Sequence, residues 1–123
     1  MKIALIQISS VLDPVENIRK IENFISEIVK KDKIDAVFLP EVFYSMSNGE
    51  TPTPFLLQIG NEHYKKIQSL AIKYKVFLLG GSAATKRVDG IYNTAYNFAP
   101  DGTLLSEYDK THLFAVNLKG KIK

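Results

Sequence analysis

The stretch that decides the fold is the apolar run Asp35-Ala36-Val37-Phe38-Leu39-Pro40-Glu41. From Ala36 to Leu39 its residues are apolar on both alternating faces, which is typical of a central strand covered on two sides. Pro40 has no N–H to donate and biases the residue before it toward extended geometry, so we expect the strand to end there. Glu41 is thereby predicted at the mouth of a buried strand, where open α/β sheets bind their ligands.

Strand and helix patterns alternate on both sides of this run. An isoleucine-rich strand is predicted at 2–9, followed by an amphipathic helix that Asp13 caps and that ends near Lys31. After an irregular loop, a second helix is predicted from Asn61 to about Lys75. Three further strands are predicted, the last two as a hairpin, at 76–79, 91–99 and 103–109. The order β-α-β-loop-α-β-β-β predicts a layered α/β fold with a mixed sheet and helices packed on it.

Composition and charge narrow the function classes. The chain has 123 residues, of which 46% are hydrophobic and 24% charged, as in one small globular domain or part of a larger one. No apolar run approaches the ~20 residues of a membrane-spanning helix, so we expect no membrane partner. The net charge is +3, and three lysines, Lys119, Lys121 and Lys123, lie in the last five residues. This pattern predicts a solvated tail rather than the basic face of a nucleic-acid-binding protein.

The sequence contains no cysteine. These residues therefore form no disulfide, no thiolate zinc site and no cysteine nucleophile. Together with the lack of a secretory signal at the N-terminus, this predicts a reducing, cytoplasmic setting.

Lys110 is the second candidate for a site residue. It follows the last predicted strand, on the face that alternates with Leu104, Ser106 and Tyr108, and it precedes further apolar residues. An ammonium group that is partly buried there needs a carboxylate partner, and Glu41 is the candidate if both strand ends face one pocket. Two alternatives stay open, namely that Glu41 is an exposed acid at the start of a loop and that Lys110 is a surface lysine. Partial burial of Glu41 would suit it to proton transfer.

Other residues are assigned structural roles. His63 opens a helix beside an acid and is predicted to be solvated, and His112 is predicted to be a hydrogen-bonded structural residue. Gly80-Gly81-Ser82 lacks the spacing of a phosphate-binding loop and is interpreted as a bulge or a close backbone approach. The alternating Tyr92, Tyr96 and Phe98 are predicted to lie in the core, because no basic residue is interleaved among them.

Several segments, in this order along the chain, resemble the carbon–nitrogen hydrolase (nitrilase/amidase) superfamily. Lys2-Ile3-Ala4-Leu5-Ile6-Gln7-Ile8 resembles the opening strand of the family. Leu39-Pro40-Glu41-Val42-Phe43 resembles the segment with its catalytic glutamate, and Tyr108-Asp109-Lys110-Thr111-His112-Leu113-Phe114 the segment with its catalytic lysine. Gly80-Gly81-Ser82 and Tyr92-Asn93-Thr94 also sit where similar members have theirs.

The resemblance implies a fold and a set of roles. The family fold is a four-layer αββα sandwich, and residues 1–123 would be its N-terminal portion, a mixed sheet with two helices on one face. Glu41 would be the general base, Lys110 the cation that stabilises the tetrahedral intermediate, and a cysteine outside these residues the nucleophile. The loop that begins at Tyr44 leaves the strand end beside Glu41, so Tyr44 is expected to contact a small amide or nitrile-like substrate. No metal and no organic cofactor are implied.

Three explanations of a half-fold remain open. The chain is a fragment or truncated product of a hydrolase, a natural half that forms a homo-oligomer or associates with a second chain, or a non-catalytic binding or scaffold protein that retained the fold. In each case an apolar sheet face would lie uncovered in the monomer, which argues for association with another chain or with the missing C-terminal half. In each case we predict that these residues alone hydrolyse no amide.

Overall fold

The computed structural model describes residues 1–110, and the features predicted at His112 and in the lysine-rich tail lie outside this range. The described residues form, in order, β1 (Ile3–Leu5), α1 (Pro14–Lys31), β2 (Ala36–Phe38), α2 (Glu62–Tyr74), β3 (Phe77–Leu79), β4 (Ser82–Arg87), β5 (Gly90–Phe98) and β6 (Leu104–Asp109). Neither α1 nor α2 is both long and apolar enough to cross a membrane.

Both helices begin where their capping residues predict. The Asp13 side chain accepts a hydrogen bond from the Val15 N–H at 2.9 Å, which satisfies a free donor of the first turn of α1. The Asn61 side chain accepts from the Tyr64 N–H at 2.9 Å and does the same for α2. α2 ends at Tyr74, and the following residue Lys75 caps it with a left-handed φ of 55°. The two predicted helices are thus confirmed, with ends within about one residue of the expected ones.

The strands form one mixed sheet. β1, β2 and β3 are parallel neighbours, and β5 is antiparallel to β3, β4 and β6. β3 and β4 pair with successive parts of the same edge of β5, since Leu78 lies opposite Phe98 and Ser82 opposite Ala95. β6 pairs with the other edge and completes the predicted hairpin.

The sequence prediction was incomplete at β4. The six residues of this strand were not predicted to be a strand, because alanine, lysine and arginine have little β propensity. Pairing along β5 nevertheless holds them extended. The predicted close approach at Gly81 is confirmed, since a Cβ there would lie 2.7 Å from the Phe43 ring and 2.9 Å from Leu39 Cβ. The first strand is also shorter than predicted, with only Ile3–Leu5 in the sheet.

The hydrophobic core lies between one face of the sheet and the two helices. Alternate strand residues pack there against residues of α1 and α2, and the set comprises Ala4, Val37, Leu78, Ile21, Ile25, Ile67 and Leu70. Tyr96 and Phe98 of β5 belong to the same cluster and Tyr92 is buried, which confirms the predicted role of the aromatic stripe.

No helix of the described residues covers the opposite face of the sheet, which exposes apolar side chains at β1 and β6. Ile3 and Leu5 of β1 are 52% and 77% exposed, and Tyr108 of β6 is exposed as well. A mixed sheet with two helices on one face and apolar side chains on the other is the arrangement predicted for half of a sandwich.

Candidate active site

Glu41 and Lys110 meet in the folded chain. Lys110 Nζ lies 3.1 Å from Glu41 Oε2, within salt-bridge distance, although the two residues are far apart in sequence. Glu41 follows the end of β2 and Lys110 follows the end of β6. The sequence-based expectation that both strand ends face one place is therefore met by the geometry.

The turn that carries Glu41 is anchored on the start of β4. Val42, the next residue, has a φ of 51°, a left-handed conformation that is strongly disfavoured for a β-branched residue. Its N–H donates a hydrogen bond to Ser82 Oγ at 2.8 Å, and the Phe43 N–H donates to the Ser82 carbonyl at 3.2 Å. Two hydrogen bonds to one fully buried serine thus hold the strained turn, and with it the backbone of Glu41.

Lys110 is held through its backbone and its neighbours. The Lys110 N–H donates to the Asn93 carbonyl at 2.7 Å. On the other face of β6, the Arg87 guanidinium donates to Glu107 at 2.7 Å and to Asp109 at 2.8 Å. Hydrogen bonds to Asp109 and then to Glu107 raise the pKa of Arg87 above its already high value. This network fixes the end of the strand from which Lys110 projects.

The site is open in the described part of the chain. The Glu41 side chain is 63% exposed and the Lys110 side chain 28% exposed. Glu41 is thus more exposed than the partly buried carboxylate that would suit proton transfer, as in the alternative of an exposed acid at the start of a loop. The reason lies in the layering, since both helices pack on the opposite face of the sheet and leave the carboxylate uncovered.

Asn93 is the residue of the site that sequence reasoning did not assign a role. Its side-chain Nδ2–H donates to Glu41 Oε1 at 3.5 Å, and the residue is only 5% exposed. Within the described residues its Oδ1 is buried without a hydrogen-bond partner. The alternation of β5 places Asn93 on the face away from the aromatic stripe, but only the strand pairing brings it to Glu41 and Lys110.

Tyr44 lies in the interior. It is fully buried, and its hydroxyl is hydrogen-bonded to His63 Nδ1 at 2.6 Å. Burial, and to a smaller extent the charge of Glu62, raises the pKa of Tyr44 to about 12. The prediction that His63 is solvated is wrong, since its side chain is 13% exposed and packs edge-on against the rings of Tyr44 and Phe55. A contact between Tyr44 and substrate stays a prediction.

The loop after Tyr44 lines a cleft of about 370 Å³, whose walls are formed by Ser10, Leu12, Met46, Ser47, Asn48, Thr51, Pro52 and Pro54. Within residues 1–110 no group of three histidine, aspartate or glutamate side chains is placed to hold a metal ion. The Glu41–Lys110 pair places a carboxylate, which can act as a base, beside an ammonium group, which can stabilise an anion.

Comparison with known proteins agrees with this fold. A sequence model of the carbon-nitrogen hydrolase family matches residues 2–122, and the chain belongs to this family. The human omega-amidase NIT2 is 33% identical over 121 residues. Among solved structures, Nit3 of Saccharomyces cerevisiae, described as a member of branch 10 of the nitrilase superfamily, is 27% identical with a TM-score of 0.74. The NitFhit protein of C. elegans is 29% identical, also with a TM-score of 0.74.

The chain spans less than half of the relatives that it matches. The alignment with human NIT2 covers 98% of this chain and 44% of the relative. The yeast Nit3 superposition covers 91% of this chain and 44% of that one, and the C. elegans superposition covers 91% and 28%. The resemblance to the N-terminal half of the family fold, expected from the sequence, is thereby confirmed.

Proposed function

We propose that this chain contributes Glu41 and Lys110 as catalytic residues of a carbon–nitrogen hydrolase that cleaves the C–N bond of a small amide. The observation that carries the proposal is the 3.1 Å contact between Lys110 Nζ, which follows β6, and Glu41 Oε2, which follows β2. The relatives named omega-amidase support an ω-amide as the substrate class. Residues 1–123 contain no cysteine, so the nucleophilic thiol comes from residues outside this set.

The two side chains divide the chemistry of amide cleavage. A thiol is only partly ionised at neutral pH, so Glu41 acts as the general base that takes its proton while sulfur attacks the amide carbon. The carbonyl oxygen becomes negatively charged in the tetrahedral intermediate, and the Lys110 ammonium stabilises that charge. As the C–N bond breaks, the proton held by Glu41 passes to the leaving nitrogen, which departs as ammonia from a primary amide.

The first test uses the chain of 123 residues alone. Purified protein of confirmed mass should release no ammonia from an ω-amide, because the nucleophile is lacking. Measurable hydrolysis by that sample would contradict the assignment of a cysteine outside it. A second measurement is the sequence of the coding DNA past Lys123, which should continue in frame to a cysteine codon. A stop codon directly after Lys123 would instead favour a binding or scaffold protein.

The second test measures turnover by the product of the whole reading frame. Glu41→Gln and Lys110→Met should each lower kcat by at least ~100-fold, since removing one charge-stabilising donor typically costs about 3 kcal/mol of barrier. The matched control is the surface ion pair of Lys73 and Glu22, whose charged atoms are 2.9 Å apart. Lys73→Met and Glu22→Gln should leave kcat unchanged. Full activity in both site variants would refute the proposal.

The proposal extends to assembly. The exposed apolar side chains of Ile3 and Leu5 lie on the sheet face that carries the site, and monomers rarely expose such a face. We propose that a second copy covers it in the isolated chain, and that a C-terminal half covers it in the whole protein. Light scattering should show the isolated chain as a dimer or larger species, and Leu5→Lys should shift it toward the monomer. A monodisperse, soluble monomer at high concentration would argue against this.

A further inference from the structure

Asn93 contacts both members of the charged pair. Its side-chain Nδ2–H donates to Glu41 Oε1 at 3.5 Å, and its main-chain carbonyl accepts the Lys110 N–H at 2.7 Å. It lies within β5, whose pairing with β4 and β6 fixes its backbone on both edges. One rigidly placed residue therefore links two strand ends that are distant in sequence.

The fold does not account for the other end of this side chain. Asn93 Oδ1 is buried and has no hydrogen-bond partner in the described residues, although the residue is only 5% exposed. A buried amide oxygen without a donor destabilises a protein, and such groups are rare in native structures. An alanine or serine opposite Ala84 would avoid the unpaired oxygen. Stability of the strand alone therefore does not favour an asparagine here.

The contact with the Glu41 carboxylate explains which way the Asn93 side-chain amide is turned. Glu41 only accepts hydrogen bonds when it is ionised, so the amide turns its nitrogen toward Glu41 and leaves its oxygen in the interior. The contact of 3.5 Å is long, as catalytic hydrogen bonds often are before a ligand is bound. The destabilising oxygen is retained, in this view, because the opposite end of the side chain orients Glu41.

We propose that Asn93 is a positioning residue, which holds the Glu41 carboxylate against Lys110 Nζ through its side-chain amide. A role of Asn93 in catalysis rests on the proposed function. Whether its amide holds Glu41 near Lys110 can be tested on the 123-residue chain itself. The Asn93 side chain contacts Glu41 from the buried side. The hydrogen bond from the Lys110 N–H to the Asn93 carbonyl involves only the main chain, so substitutions of the Asn93 side chain should leave it in place.

The experiment follows reductive methylation of individual lysines by peptide mass spectrometry. Asn93→Ala and Asn93→Ser should raise the labelling rate of Lys110 about five-fold, because loss of one charge-assisted hydrogen bond leaves Glu41 less firmly on the amine. Lys73, which is paired with Glu22 elsewhere on the surface, should react at the same rate in all samples. The melting temperature should stay within about 2 °C of the parent or rise, because the unpaired oxygen is removed.

The double variant separates positioning from a structural role. If Asn93 acts through Glu41, Glu41→Gln/Asn93→Ala should label at Lys110 no faster than Glu41→Gln alone. A double variant that labels faster than Glu41→Gln would overturn the proposal, since Asn93 would then act on the strand itself. An unchanged Lys110 rate in Asn93→Ala, or a large fall in melting temperature with faster labelling of every lysine, would overturn it as well.

A measurement that leaves Asn93 intact gives an independent result. In ¹⁵N-labelled protein, Glu41→Gln should shift the side-chain amide resonances of Asn93 and leave those of Asn97, on the same face of β5 and bonded to Ser106, in place. The absence of a shift at Asn93 would overturn the proposal. If the labelling and resonance results hold but the product of the whole reading frame cleaves no amide, the proposed function fails and the role of Asn93 in positioning Glu41 stands. If that product cleaves an amide but the labelling and resonance results fail, only the role of Asn93 is overturned.

Discussion

Replacing the buried Tyr44 with phenylalanine should change how stability depends on pH. The Tyr44 hydroxyl is fully buried and is hydrogen-bonded to His63 Nδ1 at 2.6 Å. Burial raises the pKa of this hydroxyl to about 12, from an ordinary value of about 10. Because the pKa of the folded state lies above that of the unfolded state, Tyr44 stabilises the fold fully below pH ~10, and this contribution is lost as pH rises through ~12.

The size of the effect follows from the shift. A difference of about two pKa units corresponds to about 2.7 kcal/mol, of which about 1.4 kcal/mol is lost by pH ~11. At neutral pH, Tyr44→Phe removes one hydrogen bond, which is worth about 1 kcal/mol. The variant should therefore be about 1 kcal/mol less stable than the parent at pH ~7 and as stable as the parent, or slightly more so, at pH ~11.

Urea unfolding followed by circular dichroism, repeated at intervals from neutral to alkaline pH, measures this difference. All other titrating groups are common to both proteins, so the difference in unfolding free energy isolates Tyr44. Tyr108→Phe is the control, because Tyr108 is exposed and the loss of its hydroxyl should cost the fold little. A Tyr44→Phe difference that stays constant across the range would refute the assignment of a buried, un-ionised hydroxyl.

Three further substitutions test the supports of the site. Gly81→Ala places a Cβ 2.7 Å from the Phe43 ring, so urea unfolding should show a loss of about 2 kcal/mol, and no loss would contradict the close approach. Arg87→Gln removes the cation that Glu107 and Asp109 contact, so thermal unfolding should show a loss of about 2 kcal/mol, and an unchanged melting temperature would contradict the role of this network. Ser82→Ala removes the acceptor of the strained Val42 N–H, so amide exchange at Val42 should accelerate about ten-fold while exchange in α1 stays unchanged.

Much of the local structure could be predicted from residues close together in the chain. Asp13 and Asn61 start the two helices because a cap is a contact over two or three residues, and each predicted start agrees with the structure. Pro40 ends β2 by its own covalent geometry. Glu41 could be selected as a candidate because it follows an apolar strand, and Lys110 because it lies between a strand and further apolar residues, and both patterns are visible in the sequence.

Other features depend on which strands become neighbours. The residues of β4 have a weak intrinsic preference for the extended conformation, and they form a strand because β5 pairs with them along their length. The Tyr44–His63 hydrogen bond and the exposure of Glu41 depend on how the loop folds back and on which face of the sheet the helices cover.

The ordered motifs were sufficient to indicate the family and the two charged residues, because those signals lie within short segments of the chain. The tertiary structure alone decided that the carboxylate and the ammonium lie 3.1 Å apart and that Asn93 contacts both. Such distances are set by sheet register and layer packing, which depend on pairings between residues far apart in sequence and leave no local pattern to read.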